Sequence, residues 1–389
     1  MLVIGGGPVG SHVAYKLAEA GYRVAVLEQK GRVGEAVCCT GIISQECVSS
    51  FAIDSSVILR RVNSARLFSP SGRLLRLWRG EAQACILDRA AFDMAMASRA
   101  QSRGAEYALN SLVRDIRVGD DRVIVEVARQ QERLNFEARA VVIATGFSSR
   151  LIQRLGLGKV GDFVVGAQAE VETSGVEEVE VYFGREIAPG FFAWLVPTSA
   201  SWARVGLLSH HSPEAYLKKL MSFLVAQGKI VLAEAELSHG GIPLKPLART
   251  YNDRLLVVGD AAGQVKPTTG GGIYYGLLCA DIAANTLHQA LQRDELSARN
   301  LARYEREWKG KLKRELEIDY YARKFYERLS DGQIDRIFDI IKANGIDQDL
   351  LKAADLSFDW HSKAVLRLMG HRAMSKALEV MKTPFRLRW

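Results

Sequence analysis

The chain has 389 residues, 48% hydrophobic and 25% charged, the composition of a soluble globular protein with room for more than one lobe. Its five cysteines (38, 39, 47, 85 and 279) form no CxxC pair, which argues against a disulfide framework, a zinc site or an iron–sulfur cluster, so no metal is expected and a reducing cytoplasm is. A net charge of +8 favours an anionic surface, but the basic residues are dispersed and no nucleic-acid module is recognisable, so nucleic acid is not expected as a partner.

The opening "MLVIGGGPVGS" has neither a basic n-region nor a cleavage site, and no run reaches the roughly 20 apolar residues a span requires. A cytoplasmic protein is expected, with the net charge favouring peripheral contact with a membrane. Leu2 to Gly5 reads as a short apolar strand, and Gly5, Gly7 and Gly10 form GxGxxG. A helix follows over Ser11 to Glu19, Gly21 ends it, and "RVAVLE" is a second strand closing on Glu28, 18 residues after Gly10. This is the first half of a dinucleotide-binding fold. Gly5 allows the tight turn, Gly7 lets backbone approach a pyrophosphate, and Gly10 lets helix and strand pack closely. The helix N-terminus turns free N–H groups and a positive dipole end toward phosphates, and Glu28 is placed to accept from a ribose.

Next comes "CCTGIIS", in a nearly uncharged loop. A short strand ends at Asp88-Arg89 and a helix runs from there to Gly104. "ARAVVIATG" (138 to 146) is another buried strand. Residues 163 to 208 alternate apolar and polar, which predicts an antiparallel sheet. "RLLVVGDAAGQVKPTTGGGIYYGLL" then delivers Gly259-Asp260 from a strand, three consecutive glycines in a loop, and a small-residue helix near Ile273. From about residue 296 the chain is charged and helical, to a basic end, "KTPFRLRW". The expected architecture is α/β. A Rossmann-like domain is built from 1–60, 80–160 and 240–295, an antiparallel-sheet domain from 61–79 and 161–239 is inserted into it, and 296–389 form a C-terminal helical region.

GxGxxG with Glu28, the "VVIATG" strand and "RLLVVGDAAG", in that order, resemble the FAD-binding fold of para-hydroxybenzoate hydroxylase-like flavoproteins. The resemblance implies that FAD is the cofactor and that Asp260 meets its ribityl chain. It implies that Gly271, Gly272 and Ile273 approach the flavin pyrimidine ring and that Arg89 lies near the flavin. It extends the cofactor contacts to Val9, Cys39, Thr40, Gly41 and Val113.

"PGFFAWLVPTSASWARVGL" (189 to 207) is similar to a signature of the geranylgeranyl reductase family, which reads tyrosine, any, tryptophan, any, phenylalanine, proline, then a turn and "VGL". Trp194 and Pro197 match; Phe192 stands for the tyrosine and Val196 for the phenylalanine. "CCTGIIS" resembles the family's loop with a cysteine five residues before a serine, which aligned on Ser44 selects Cys39. The resemblance implies an FAD-dependent reductase of isolated C=C bonds in isoprenoid chains, with hydride from flavin N5 and a proton near Cys39. Phe192, Trp194 and Pro197 are then the substrate-lining candidates, and strand alternation turns Phe192 and Trp194 to one face and Phe191 and Leu195 to the other. Cys38 has no role carried over, and Cys47, Cys85 and Cys279 read as buried structural residues. An electron donor is implied, either NAD(P)H or ferredoxin, since no second Rossmann fingerprint is present.

Rival readings stay open. A flavin monooxygenase or halogenase shares the fold, although "FAWLVP" lacks the first tryptophan of the halogenase signature. A quinone-reducing flavoprotein would carry ligating cysteines near the C-terminus, and the last one here is Cys279. A non-catalytic prenyl-binding protein would not need intact glycine loops and Asp260.

Overall fold

The structure, a computed structural model, describes residues 1–130, 132–147, 150–353 and 357–380. It divides into two compact units, each assembled from three pieces of chain. The first comprises 1–37, 88–163 and 242–313; the second comprises 38–87, 164–241 and 314–389.

A six-stranded sheet forms the first unit, in the order Tyr251–Asn252, Leu255–Val257, Val141–Ile143, Leu2–Ile4, Ala25–Leu27, Glu106–Ala108. All neighbours are parallel except the antiparallel Tyr251–Asn252 edge. The three central strands are buried throughout, as strands covered on both faces must be. Helix Pro8–Glu19 packs against helices Arg89–Gln101 and Ile273–Arg293. The helix thus begins at Pro8, three residues before the expected start, because proline at the first helical position loses no hydrogen bond. A three-stranded antiparallel meander (Ser111–Val118, Val123–Arg129, Glu132–Ala138) was not anticipated. Its Val123, Val125 and Val127 are fully buried in the core that Ile143 and Leu255 share.

The second unit holds a seven-stranded sheet in the order Ser238–Pro243, Phe163–Glu172, Trp202–Ser209, Phe192–Pro197, Val179–Phe183, Ser64–Phe68, Leu74–Trp78. From Phe163–Glu172 to Val179–Phe183 the pairing is antiparallel, as the alternation predicts. Val179–Phe183 then pairs in parallel with Ser64–Phe68, a nonlocal contact that no local pattern announces. Helix Pro213–Ala226 covers one face, where Leu217, Leu220, Met221 and Leu224 meet Ala167, Leu195, Val205 and Leu207. Each of those four helix side chains is fully buried and contributes about 1.5–3 kcal/mol. A small sheet places Ile42–Ser44 and Ile58–Val62 antiparallel to either side of Ala84–Leu87.

The unit boundaries differ from those expected. Residues 38–60 and 80–87 fall in the second unit, because their strands pair with one another. The C-terminal region is divided too. Helix Ala298–Arg328 starts in the first unit, where Tyr304 donates to the Val257 carbonyl (2.8 Å) and Trp308 Nε1 to Thr250 Oγ1 (3.0 Å). Further along, Leu329, Ile334 and Phe338 pack on Leu75 in the second unit. The basic end, Lys382–Trp389, lies outside the described residues. Among the described residues no helix is long and apolar enough to cross a membrane.

Candidate functional site

In the first unit the glycine turn is fixed by backbone contacts. Gly5 has φ +105°, and its N–H donates to the Leu27 carbonyl (2.9 Å). A Cβ on Gly5 would stand 2.3 Å from the Ala144 carbonyl oxygen, and one on Gly10 2.0 Å from the Gly5 carbonyl oxygen. A Cβ on Gly7 would meet nothing within 4 Å. Open space therefore lies at Gly7, the N-cap of a helix whose first turn no side chain caps. Uncapped N–H groups beside open space suit a pyrophosphate.

Glu28 is engaged more closely than its position in the motif shows. Its Oε2 accepts from Gly6 N–H (2.7 Å) and its Oε1 from Lys30 N–H (2.9 Å). Each oxygen keeps a second lone pair for a ribose hydroxyl. Ser11 and Tyr107, which the motif did not single out, brace the same turn. Ser11 Oγ donates to the Gly6 carbonyl (3.1 Å) and accepts from Tyr107 Oη (2.8 Å), a phenol pushed up to about 12 by burial.

Val9 joins the N-terminal turn to the distant Gly-Asp segment. Its methyl groups lie 3.2 Å from a would-be Cβ of Gly259 and 2.5 Å from that of Gly276. Asp260 follows at once, and a Cβ on Gly272 would stand 2.6 Å from its Oδ1. Among the described residues nothing donates a hydrogen bond to the Asp260 carboxylate. Burial pushes its carboxyl up, and the Arg89 charge pulls it down. A half-buried carboxylate with spare lone pairs suits a polyol chain.

Arg89 opens the helix that Asp88 caps, and its Nη2 pairs with Asp93 Oδ1 (2.9 Å). Gly271 accepts from Lys266 N–H (3.1 Å), and Ile273 is the first residue of a helix whose N-cap, Gly272, is also uncapped by any side chain. Val113 sits in the meander opposite Val127, packed on the apolar core. Thr145, just past the Val141–Ile143 strand and beside Gly5, has a buried hydroxyl without a partner. No motif marks it. This donor and acceptor set fits a flavin dinucleotide.

The second unit carries the two cysteines. Cys38 lies against Gly240, with Ser238 hydrogen-bonded to its thiol; burial pushes that thiol up, against the pull of the bond. Cys39 Sγ instead accepts from Gly41 N–H (3.4 Å). Gly41 has φ +74° and leads into strand Ile42–Ser44, and its carbonyl accepts from Leu87 N–H (2.9 Å). Two side chains of the large sheet hold the loop by its carbonyls. Gln168 Nε2 donates to the Cys39 carbonyl (3.2 Å), and Arg204 Nη1 to the carbonyls of Thr40 and Leu87 (2.9 Å each). Arg204 Nε is paired with Glu170 (2.9 Å). Sequence reasoning missed both residues, because a side chain that binds backbone leaves no motif.

The register puts Gln168, Gly206 and Trp194 side by side across three strands, with their side chains on one sheet face. The Cys39 loop therefore lies on the face that carries Trp194. Phe192 shares that face, its ring 6.2 Å from the Trp194 ring, edge on. Leu195 and Ala193 point the other way, into the core under helix Pro213–Ala226, and Pro197 follows their parity opposite Ala203. Phe191 precedes the strand and packs against Arg323, with its carbonyl accepting from Tyr326 (2.8 Å). Cys47 and Cys279 are fully buried, and Cys85 is buried between Arg61 and Gln45.

A parallel nucleotide-binding sheet with these glycine turns, in a chain that also folds a second sheet unit, defines a flavin-dependent oxidoreductase. A sequence profile described as pyridine nucleotide-disulphide oxidoreductase matches residues 1–176. A digeranylgeranylglycerophospholipid reductase from Methanocaldococcus jannaschii is 32% identical over 89% of this chain and 92% of its own length. A solved structure from Thermoplasma acidophilum, described as geranylgeranyl bacteriochlorophyll reductase-like, covers 98% of both chains at a TM-score of 0.85 and 24% identity. A flavin-dependent brominase has the same fold at a TM-score of 0.70 and 13% identity. The chain belongs to the geranylgeranyl reductase family.

Proposed function

We propose that this FAD-dependent oxidoreductase saturates isolated C=C bonds in the isoprenoid chains of a lipid. The observation that carries the reading is the Cys39 loop, held by Gln168 and Arg204 on the sheet face of Phe192 and Trp194. A loop thiol held on the face of two aromatic side chains supports this reading, because an unpolarised alkene needs an apolar lining and a proton source rather than an oxyanion hole. Bound FAD supplies the hydride equivalent. Gly7 and the Pro8–Glu19 helix N-terminus take the pyrophosphate, Glu28 the ribose, and Asp260 the ribityl hydroxyls. Gly271, Gly272 and Ile273 approach the pyrimidine ring, with Arg89 near the flavin. Phe192 and Trp194 hold the chain and exclude water, and Cys39 Sγ–H delivers the proton to the second alkene carbon. Electrons come from NAD(P)H or reduced ferredoxin. The test is anaerobic single turnover: reduced enzyme should be reoxidised by a geranylgeranyl lipid, which mass spectrometry finds two hydrogens heavier per bond. Reoxidation only by oxygen with an aromatic substrate would instead make it a monooxygenase.

Two further outcomes are expected. Asp260→Ala should weaken FAD retention by about 1.5–3 kcal/mol, the contribution of a charged hydrogen bond, or roughly 10- to 150-fold in Kd by flavin titration. The net charge of +8 should give peripheral binding to anionic vesicles that high salt releases. Equal, salt-independent flotation with neutral and anionic vesicles would remove the electrostatic attraction from the account.

A further inference from the structure

Two polar atoms on the Cys39 face are buried without a partner: Gln168 Oε1 and Trp194 Nε1. Their residues are 4% and 8% exposed. They are not scattered. Gln168 pairs with Gly206, and Gly206 with Trp194, so the two side chains flank one glycine on one face. The indole lies over that glycine, since a Cβ on Gly206 would stand 2.5 Å from Trp194 Cζ2 and 2.7 Å from Cε2, the carbon bonded to Nε1. Its N–H edge is thus the edge over Gly206, in the row that leads to Gln168. The amide orientation is fixed as well. Gln168 Nε2 must face the Cys39 carbonyl, which can only accept, so Oε1 is the free end.

We propose that Gln168 Oε1 and Trp194 Nε1 together hold one neutral hydroxyl-class oxygen, from a water molecule or from the alcohol of a ligand. Such an oxygen accepts from the indole N–H and donates to the amide oxygen, satisfying both buried groups at once. The site selects against ions. Arg204, the adjacent cation on this face, is already paired with Glu170, so no net charge is left to attract one. A water there keeps one further O–H, beside the loop that Gln168 anchors. The inference rests on these contacts alone and not on the proposed reaction.

The test is crystallography of the full chain as purified, with and without geranylgeraniol. One oxygen peak is expected within about 2.7–3.2 Å of both atoms. A peak present without the alcohol and kept with it is water; a peak that the alcohol's oxygen supplies or replaces is the ligand hydroxyl. Either supports the site. In Trp194→Phe crystals the peak should vanish while Gln168 still donates to Cys39. A direct Gln168–Trp194 hydrogen bond, no peak in either crystal, or a peak untouched by Trp194→Phe would overturn the proposal. In solution the Trp194 indole N–H resonance, assigned by its loss in that variant, should sit at a hydrogen-bonded, downfield position; an unbonded shift would overturn it too.

Discussion

Gly10→Ala should yield a protein that retains no FAD and unfolds at a markedly lower temperature. The added methyl would stand 2.0 Å from the Gly5 carbonyl oxygen and 3.2 Å from the Ala144 side chain. The obstructing atom is backbone, and that backbone cannot retreat. Gly5 is held at φ +105° by its bond to Leu27, and on its other side a Cβ would stand 2.3 Å from the Ala144 carbonyl oxygen. Overpacking typically costs about 1–3 kcal/mol, and a clash between two fixed backbone segments belongs at or above the top of that range. Gly7→Ala is the contrasting variant. Gly7 has φ −69°, which alanine adopts freely, and a methyl there meets nothing within 4 Å. It should fold with wild-type thermal stability and still lose FAD, because the space it fills is the space assigned to the pyrophosphate. Apoprotein melting and flavin absorbance after gel filtration separate the two effects. Full FAD retention by Gly7→Ala would mean that the open volume at this helix end is not the phosphate site.

These same glycines explain why so much of the first unit was legible. A backbone contact that forbids a Cβ leaves a glycine, and glycines at fixed spacing can be read. The buried three-residue strands on either side are short apolar runs that mark themselves. What the motif could not show is the engagement of Glu28 by two backbone N–H groups, or Val9 wedged between Gly259 and Gly276, some 250 residues on. The meander was readable in part: Val123, Val125 and Val127 alternate at period two.

The second unit was harder because its decisive contacts are nonlocal. The Cys39 loop was expected with the nucleotide domain, because it follows that domain's second strand. Its strand, Ile42–Ser44, instead pairs with Ala84–Leu87, about 40 residues later. Gln168 and Arg204 are polar residues within alternating strands, and no motif includes them. Their role follows only from the register that sets them under the carbonyls of Cys39 and Thr40. Phe192 and Trp194 were readable as one face because alternation along a strand needs no partner.

Cys39→Ala should fold, bind FAD and accept electrons, yet transfer them to a geranylgeranyl lipid about 10²–10⁴-fold more slowly, the usual contribution of a positioned acid or base. Saturating the alkene requires one hydride equivalent and one proton. If Sγ–H of Cys39 gives that proton, the resulting thiolate must regain one from water before the next turnover. Without the thiol the proton would have to come from water directly, a slower source in the proposed site, where Phe192 and Trp194 are assigned to the isoprenoid chain. Cys38→Ala is the matched control, and the structure gives it a reason. The Cys38 thiol is tied to Ser238 and lies against Gly240, whereas Cys39 takes its contact from Gly41 and is fixed through its carbonyl by Gln168. Removing Cys38 should therefore leave the transfer rate near that of wild type. The measurement is reoxidation of the reduced, oxygen-free enzyme in a single turnover. Equal wild-type rates for both variants would leave neither thiol a chemical role, and slowness confined to Cys38→Ala would move the proton to the neighbouring residue.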